Sequence, residues 1–254
     1  MLRHKSIASG LAGLLFMGLF WSVAQAAPIT VPTGLNPGDQ YRIAFLTTTT
    51  RNASSSDIAV YNAFVTAEAN SVAELSALNT TWTAIASTAT VDARDNTDTN
   101  PASAGVGIYL LNDTKLADNN ADLWDGTIRT ALGVQSDGFG IVGTTVWTGT
   151  ASDGTVGVQN GSIQGLGFEF TGDRRLGNSG FEDQRWIMGP PSPFSTFITF
   201  NAHFYAISGI LTVGDGETVG VPEPAPLSAM ALGLLSFAVI WRRRAAEITR
   251  RRQT

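Results

Sequence analysis

The sequence predicts an α+β fold, and three observations predict it. One amphipathic helical stretch lies early, at 57–77. Short β-type runs lie on both sides of it. From Gly138 onward, glycine, aspartate and asparagine turns separate runs of only a few residues, which describes a loop-rich β lobe.

The elements follow in order. Pro28, Pro32, Gly34, Pro37 and Gly38 make 27–40 an extended lead-in. A strand at 41–46 places Tyr41, Ile43 and Phe45 on one face by period 2. A polar loop at 47–56 ends on Ser56, the expected N-cap of a helix over 57–77. Its apolar stripe is Ile58, Tyr61, Phe64 with Val65, Val72 and Leu75. A short strand at 81–85, a polar loop to Ala104, a strand at 107–111 and an acidic loop at 114–123 come next. The late region predicts strands at 146–148, 168–170, 185–187 and 203–207.

The two ends predict targeting rather than fold. Arg3 and Lys5 precede an apolar stretch at 7–23, and Ala24-Gln25-Ala26 gives a small-x-small cleavage pattern before Ala27, so 1–26 is expected to be a signal peptide. At the other end, Val221-Pro222-Glu223-Pro224 precedes an uncharged run at 225–241 and then Arg242-Arg243-Arg244, within a basic tail at 242–254. The run has 17 residues, roughly 25 Å of helix at 1.5 Å per residue, against a bilayer core of about 30 Å. A buried core helix is the alternative for so short a run. A run apolar on all sides, abutting arginines, favours a transmembrane helix with its basic flank in the cytoplasm. Pro222, Pro224 and Pro226 keep the preceding segment extended. Arginines flank both hydrophobic ends on the same side, so 27–220 is expected to be exported.

The three-part tail resembles the PEP-CTERM sorting signal of Gram-negative bacteria that make extracellular polysaccharide. The matching residues are Val221, Pro222, Glu223 and Pro224, the apolar run, and Arg242, Arg243 and Arg244. The resemblance implies recognition by an exosortase after signal peptidase has acted at Ala24, Ala26 and Ala27. It implies a single-pass inner-membrane intermediate and then a cell-surface or extracellular product, linked to exopolysaccharide or biofilm.

Once the ends are set aside, charge excludes one class of partner. The whole chain carries −5, but 27–220 has eight basic residues against nineteen acidic, a net of −11. Nucleic-acid binding needs a basic surface, so it is not expected. Cysteine is absent, which excludes disulfides, Cys nucleophiles and Cys metal sites.

Within 27–220 the order of wording is informative. Tyr41-Arg42-Ile43-Ala44-Phe45 opens it, and the helix and Trp82-Thr83-Ala84-Ile85-Ala86-Ser87 follow. Ile108-Tyr109-Leu110-Leu111 comes next, then the stretch from Ala117 to Gly126, Val146-Trp147-Thr148-Gly149-Thr150 and His203-Phe204-Tyr205-Ala206-Ile207-Ser208. This order resembles bacterial C-type-lectin-like domains of the endostatin-like type, over about 41–213. The cysteines that tie the closing strand in many members are missing here, so packing alone must hold the long loops. A group of PEP-CTERM proteins shares the wording from Trp82 to Asp95 and from Asn119 to Trp124, and that similarity implies no activity.

Candidate site residues have two readings each. Asp92, Asp95 and Asp98 share one loop; Asp113, Asp118, Asn120, Asp122 and Asp125 share another. Such oxygen ligands suit Ca²⁺; the alternative is turn chemistry, since Asp and Asn hydrogen-bond their own backbone. Asp118-x-Asn120-x-Asp122 imitates an EF-hand start, but Leu123 and Arg129 stand where Gly and Glu belong, so it is not one. The Glu-Pro-Asn type of carbohydrate triplet is absent from any matching place. Trp82, Trp124, Trp147 and Trp186 could stack on sugars, but tryptophans more often build cores, which is expected for Trp82 and Trp147. His203 stands alone in 27–220, with no Gly-x-Ser-x-Gly motif to serve. No catalytic constellation assembles, so a non-catalytic binding or structural domain is expected. The alternative is a secreted hydrolase acting on polysaccharide. Asn52, Asn79, Asn112 and Asn160 head glycosylation-type triplets that carry no weight in bacterial export.

Overall fold

Strand β1 (Gln40–Leu46) is buried along all but its first residue, and the structure is organised around it. In this computed structural model the described residues are 27–141, 143–167, 176–189 and 199–214. The expected signal peptide at 1–26, the strand at 168–170 and the sorting tail at 221–254 lie outside them.

On one side β1 pairs in parallel with β3 (Gly107–Leu110), which turns back into antiparallel β4 (Lys115–Ala117). On the other side it pairs antiparallel with β9 (Tyr205–Ser208), beyond which lies β2 (Trp82–Ala84). After Gly209 and Ile210 the chain returns to β1 as β10 (Leu211–Thr212). The result among the described residues is a six-stranded mixed sheet. A strand flanked on both edges and covered on both faces must be apolar throughout, and Ile43, Ala44, Phe45 and Leu46 are fully buried. Arg42 is the exception, only 4% exposed. Its guanidinium donates to the carbonyls of Thr97 at 3.0 Å, Ser208 at 2.8 Å and Asp98 at 3.1 Å, so the charge is hydrogen-bonded where the β9–β10 edge is interrupted.

The helix expected over 57–77 is two helices. Helix α1 spans Ile58–Asn70 and α2 spans Ala73–Ser76. Ser71 causes the break: its Oγ donates to the Glu68 carbonyl at 2.6 Å and competes with the helical ladder. The N-cap is Asp57, not Ser56, because Asp57 is the residue still extended and its carboxylate accepts from the Ala59 amide at 2.9 Å. Tyr61 and Val65 are fully buried, and Phe64 packs on the core.

Two stretches expected as loops contain single helical turns, α3 (Ala93–Asn96) and α4 (Asn120–Leu123). The late lobe holds β5 (Thr145–Trp147) paired with β8 (Leu176–Asn178), and the hairpin β6 (Val158–Gln159) with β7 (Ser162–Ile163). The strand expected at 185–187 is instead a 3₁₀ turn, Gln184–Trp186. The carboxylate of Asp183 accepts from the Arg185 amide at 3.0 Å and starts the turn.

Candidate functional site

The two acidic loops do meet, but not through their carboxylates. The Trp124 indole N–H donates to the Thr99 carbonyl at 3.0 Å and to the Thr99 hydroxyl at 2.9 Å. The Asn120 amide, 2% exposed, donates to the Asn100 carbonyl at 3.3 Å and to Ser103 Oγ at 3.0 Å. These bonds tie the 92–100 loop to α4.

Each carboxylate has its own local partner. Asp113 turns to the lead-in, accepting from the Thr33 amide at 2.7 Å and from the Thr33 hydroxyl. Asp118 pairs with Lys115 at 3.3 Å and with Arg129, and Asp122 pairs with Arg129 Nε at 3.3 Å. A guanidinium therefore sits between the two carboxylates that most resemble a calcium loop. Asp122 also accepts from the Asp118 amide at 2.6 Å. Asp125 accepts from the amide and the hydroxyl of Thr127, each at 2.9 Å. In the other loop, Asp92 accepts from the Val156 amide at 2.7 Å and Asp95 from Asn100 at 2.9 Å, while Asp98 lies 3.6 Å from Arg42. Among the described residues no group of three or more His, Cys, Asp or Glu side chains could hold a metal ion.

The aromatic candidates are interior. Trp82, Trp124, Trp147 and Trp186 are all at most 5% exposed, so none offers a ring face to a ligand. His203 is half-buried, and its Nδ1 lies 2.7 Å from the Thr47 carbonyl oxygen, which assigns the proton to that nitrogen. No serine hydroxyl or carboxylate is hydrogen-bonded to the ring among the described residues. The sorting residues Val221, Pro222, Glu223, Pro224, Arg242, Arg243 and Arg244, with Ala24 and Ala26, lie outside the described residues; Ala27 is exposed.

An open cleft of about 400 Å³ lies where three turns converge, lined by Asp125, Gly126, Thr127, Ser152, Asp183, Gln184 and Arg185. Behind it the Trp124 and Trp186 rings lie 6.0 Å apart, and Trp186 packs on Tyr205 at 5.7 Å. The Arg185 guanidinium grips both Asp183 oxygens, at 2.6–3.0 Å, and lies 3.8 Å over the Phe181 ring. The hydrogen bond from Arg185 holds the Asp183 carboxyl below its ordinary pKa. Asp125, Thr127, Ser152 and Gln184 bring carboxylate, hydroxyl and amide groups to the lining of the cleft. The residue pattern held one signal for this site. Asp-Gly-Thr occurs at 125–127 and again at 153–155, and both copies fold the same way, Asp Oδ1 accepting from the Thr amide and hydroxyl. No family model matches the chain, and no curated protein matches its sequence.

Proposed function

We propose that this is an exported, non-catalytic surface or extracellular-matrix protein of the PEP-CTERM type, whose domain at 27–220 is C-type-lectin-like and binds or scaffolds an extracellular polysaccharide. Export is supported by the two hydrophobic ends, whose basic flanks fall on the same side of a membrane. The lectin-like reading is supported by the closing strand β9 beside the opening strand β1, with the loop-rich lobe attached beyond them. Among the described residues no helix is long and apolar enough to cross a membrane. Membrane attachment in this reading therefore rests on 225–241 alone.

The observation that carries binding over catalysis is the pairing of charges around the cleft. Hydrolysis of a glycoside needs one carboxyl ready to give a proton and another ready to attack or activate water. Of the two carboxylates that line the cleft, Asp183 is held by Arg185, and Asp125 accepts from the Thr127 amide and hydroxyl. What remains at the cleft is a set of neutral and singly engaged polar groups suited to the hydroxyls of a sugar.

The processing step is an exosortase cut near Pro222-Glu223-Pro224 that removes the helix and the arginines. Native protein at the cell surface should lack the 242–254 peptide by mass spectrometry. A variant with Pro222, Glu223 and Pro224 all changed to alanine should stay uncut in the inner membrane. Surface protein still carrying that peptide would make the tail a permanent anchor and overturn the processing step.

A further inference from the structure

The tip of the β6–β7 hairpin is built from Asn160 and Gly161, the one Asn-Gly pair in the chain. Gln159 pairs with Ser162 and Val158 with Ile163, leaving a two-residue loop. Both loop residues are left-handed, Asn160 at φ 49° and Gly161 at φ 78°. A type I′ turn demands this backbone, because its twist matches that of the strands, and Asn-Gly adopts it at least cost. The residue pair that the turn requires is also chemically the weakest in the chain.

We infer that Asn160–Gly161 is a site of spontaneous backbone rearrangement, where the hairpin tip converts by itself to aspartyl and isoaspartyl forms. Both reacting groups are available. Asn160 and Gly161 are exposed, and the Asn160 amide has no hydrogen bond among the described residues. The Gly161 N–H has no backbone acceptor, and no atom of a neighbouring segment lies within 4 Å of the place where a Cβ would stand. The Gly161 nitrogen loses its proton to solvent and attacks Asn160 Cγ. The Cγ–Nδ2 bond breaks, Nδ2 takes up a proton and leaves as ammonia, and a five-membered succinimide remains. Water then opens the ring at either carbonyl. The balance is one water consumed and one ammonia released, with no oxidant or reductant. Glycine favours the attack because it lacks a side chain to block the ring and allows the backbone to turn into it. Two residue pairs make a marginal ladder, so brief opening of the hairpin gives the chain the geometry the attack needs.

The product alters the structure at one point. The isoaspartyl form runs the main chain through the side chain and adds one carbon to a loop whose register allows two residues. It also places a carboxylate at the tip. The base of the hairpin is tied to the Gly149 loop by Gly157, whose amide donates to the Gly149 carbonyl at 2.8 Å, and whose carbonyl accepts from Gln164 at 2.7 Å. The change should therefore stay local to 157–164.

The test uses the full-length protein, aged in mildly alkaline buffer and sampled by peptide mapping with isoaspartate detection. Asn160 should convert severalfold faster than Asn70 and Asn112, which are also exposed but precede Ser and Asp. An Asn160→Gln variant, which cannot form the five-membered ring readily, should lose that conversion while its melting curve stays two-state. Conversion at Asn70 or Asn112 as fast as at Asn160 would overturn the proposal. So would an Asn160 that stays intact in the folded chain over the period in which the same peptide converts in urea.

Discussion

Phe204 and Tyr205 are neighbours in sequence, and their rings pack on opposite sides of the central sheet. Phe204 stacks on Tyr61 of α1, with ring centres 5.2 Å apart, and Tyr205 lies 5.7 Å from Trp186 of the loop lobe. The Tyr205 hydroxyl donates to the Trp186 carbonyl at 3.1 Å. The period-2 alternation of an extended strand thus joins the helix layer and the loop lobe through two adjacent residues.

Phe204→Ala should cost about 3–5 kcal/mol, the usual range for emptying a buried phenylalanine site. Tyr205→Phe removes only the hydroxyl and should cost about 1 kcal/mol. Urea unfolding of both variants checks this order. Equal losses would contradict this order, and a double variant whose loss departs from the sum of the two would show that the faces are coupled.

Glu68 gives a pH dependence with a definite sign. Burial alone would raise its pKa, but hydrogen bonds from the Thr48, Thr49 and Ser136 hydroxyls and the Thr48 amide outweigh it and hold the carboxyl below its ordinary value. A depressed folded pKa stabilises above the unfolded value, and that stability is lost as pH falls through the folded one. Glu68→Gln should therefore be destabilised at neutral pH by about 1–3 kcal/mol. The gap to the native protein should close in acid. A gap that persists unchanged at low pH would mean that packing, not charge, carries the effect.

Gly149 is where the Trp-Thr-Gly-Thr wording acquires a physical reason. It has φ 64°, and a Cβ there would stand 2.5 Å from the Ser87 carbonyl oxygen and 2.8 Å from the Leu166 amide nitrogen. Gly149→Ala should cost at least about 1–3 kcal/mol in backbone strain. Gly140→Ala, with no atom of a neighbouring segment within 4 Å, should be near neutral. Thermal melts of the two variants distinguish a required glycine from a permitted one.

Arg129 sets the expectation for calcium. With its guanidinium on Asp118 and Asp122, millimolar calcium or a chelator should leave the melting temperature unchanged. A bound ion at a hundredfold excess over its dissociation constant would add about 2.7 kcal/mol. A melting temperature that rises with calcium would restore the metal reading of the 113–125 loop.

How far these features were legible depends on how far apart the partners lie. The alternation at Tyr41, Ile43 and Phe45 marks β1, and the stripe at Tyr61 and Val65 marks α1, because both are local periods. The 185–187 run misleads for the same reason. Buried Trp186 beside exposed Arg185 imitates a strand, while a single carboxylate at Asp183 bends the chain into a 3₁₀ turn. The Ser71 break depends on one hydroxyl reaching back to one carbonyl. The cleft was hidden because its turns are about 25–60 residues apart in sequence, and only the repeated Asp-Gly-Thr hints that two of them are alike.

The most direct test of a binding rather than a hydrolytic domain is sedimentation of the processed protein with the producing cell's own polysaccharide, with polymer length measured before and after. A binding domain should be retained with polymer length unchanged, and Ser152→Ala combined with Gln184→Ala should lower retention without lowering the melting temperature. Shortened polymer would make the domain a hydrolase. Protein left in the supernatant would contradict the binding claim.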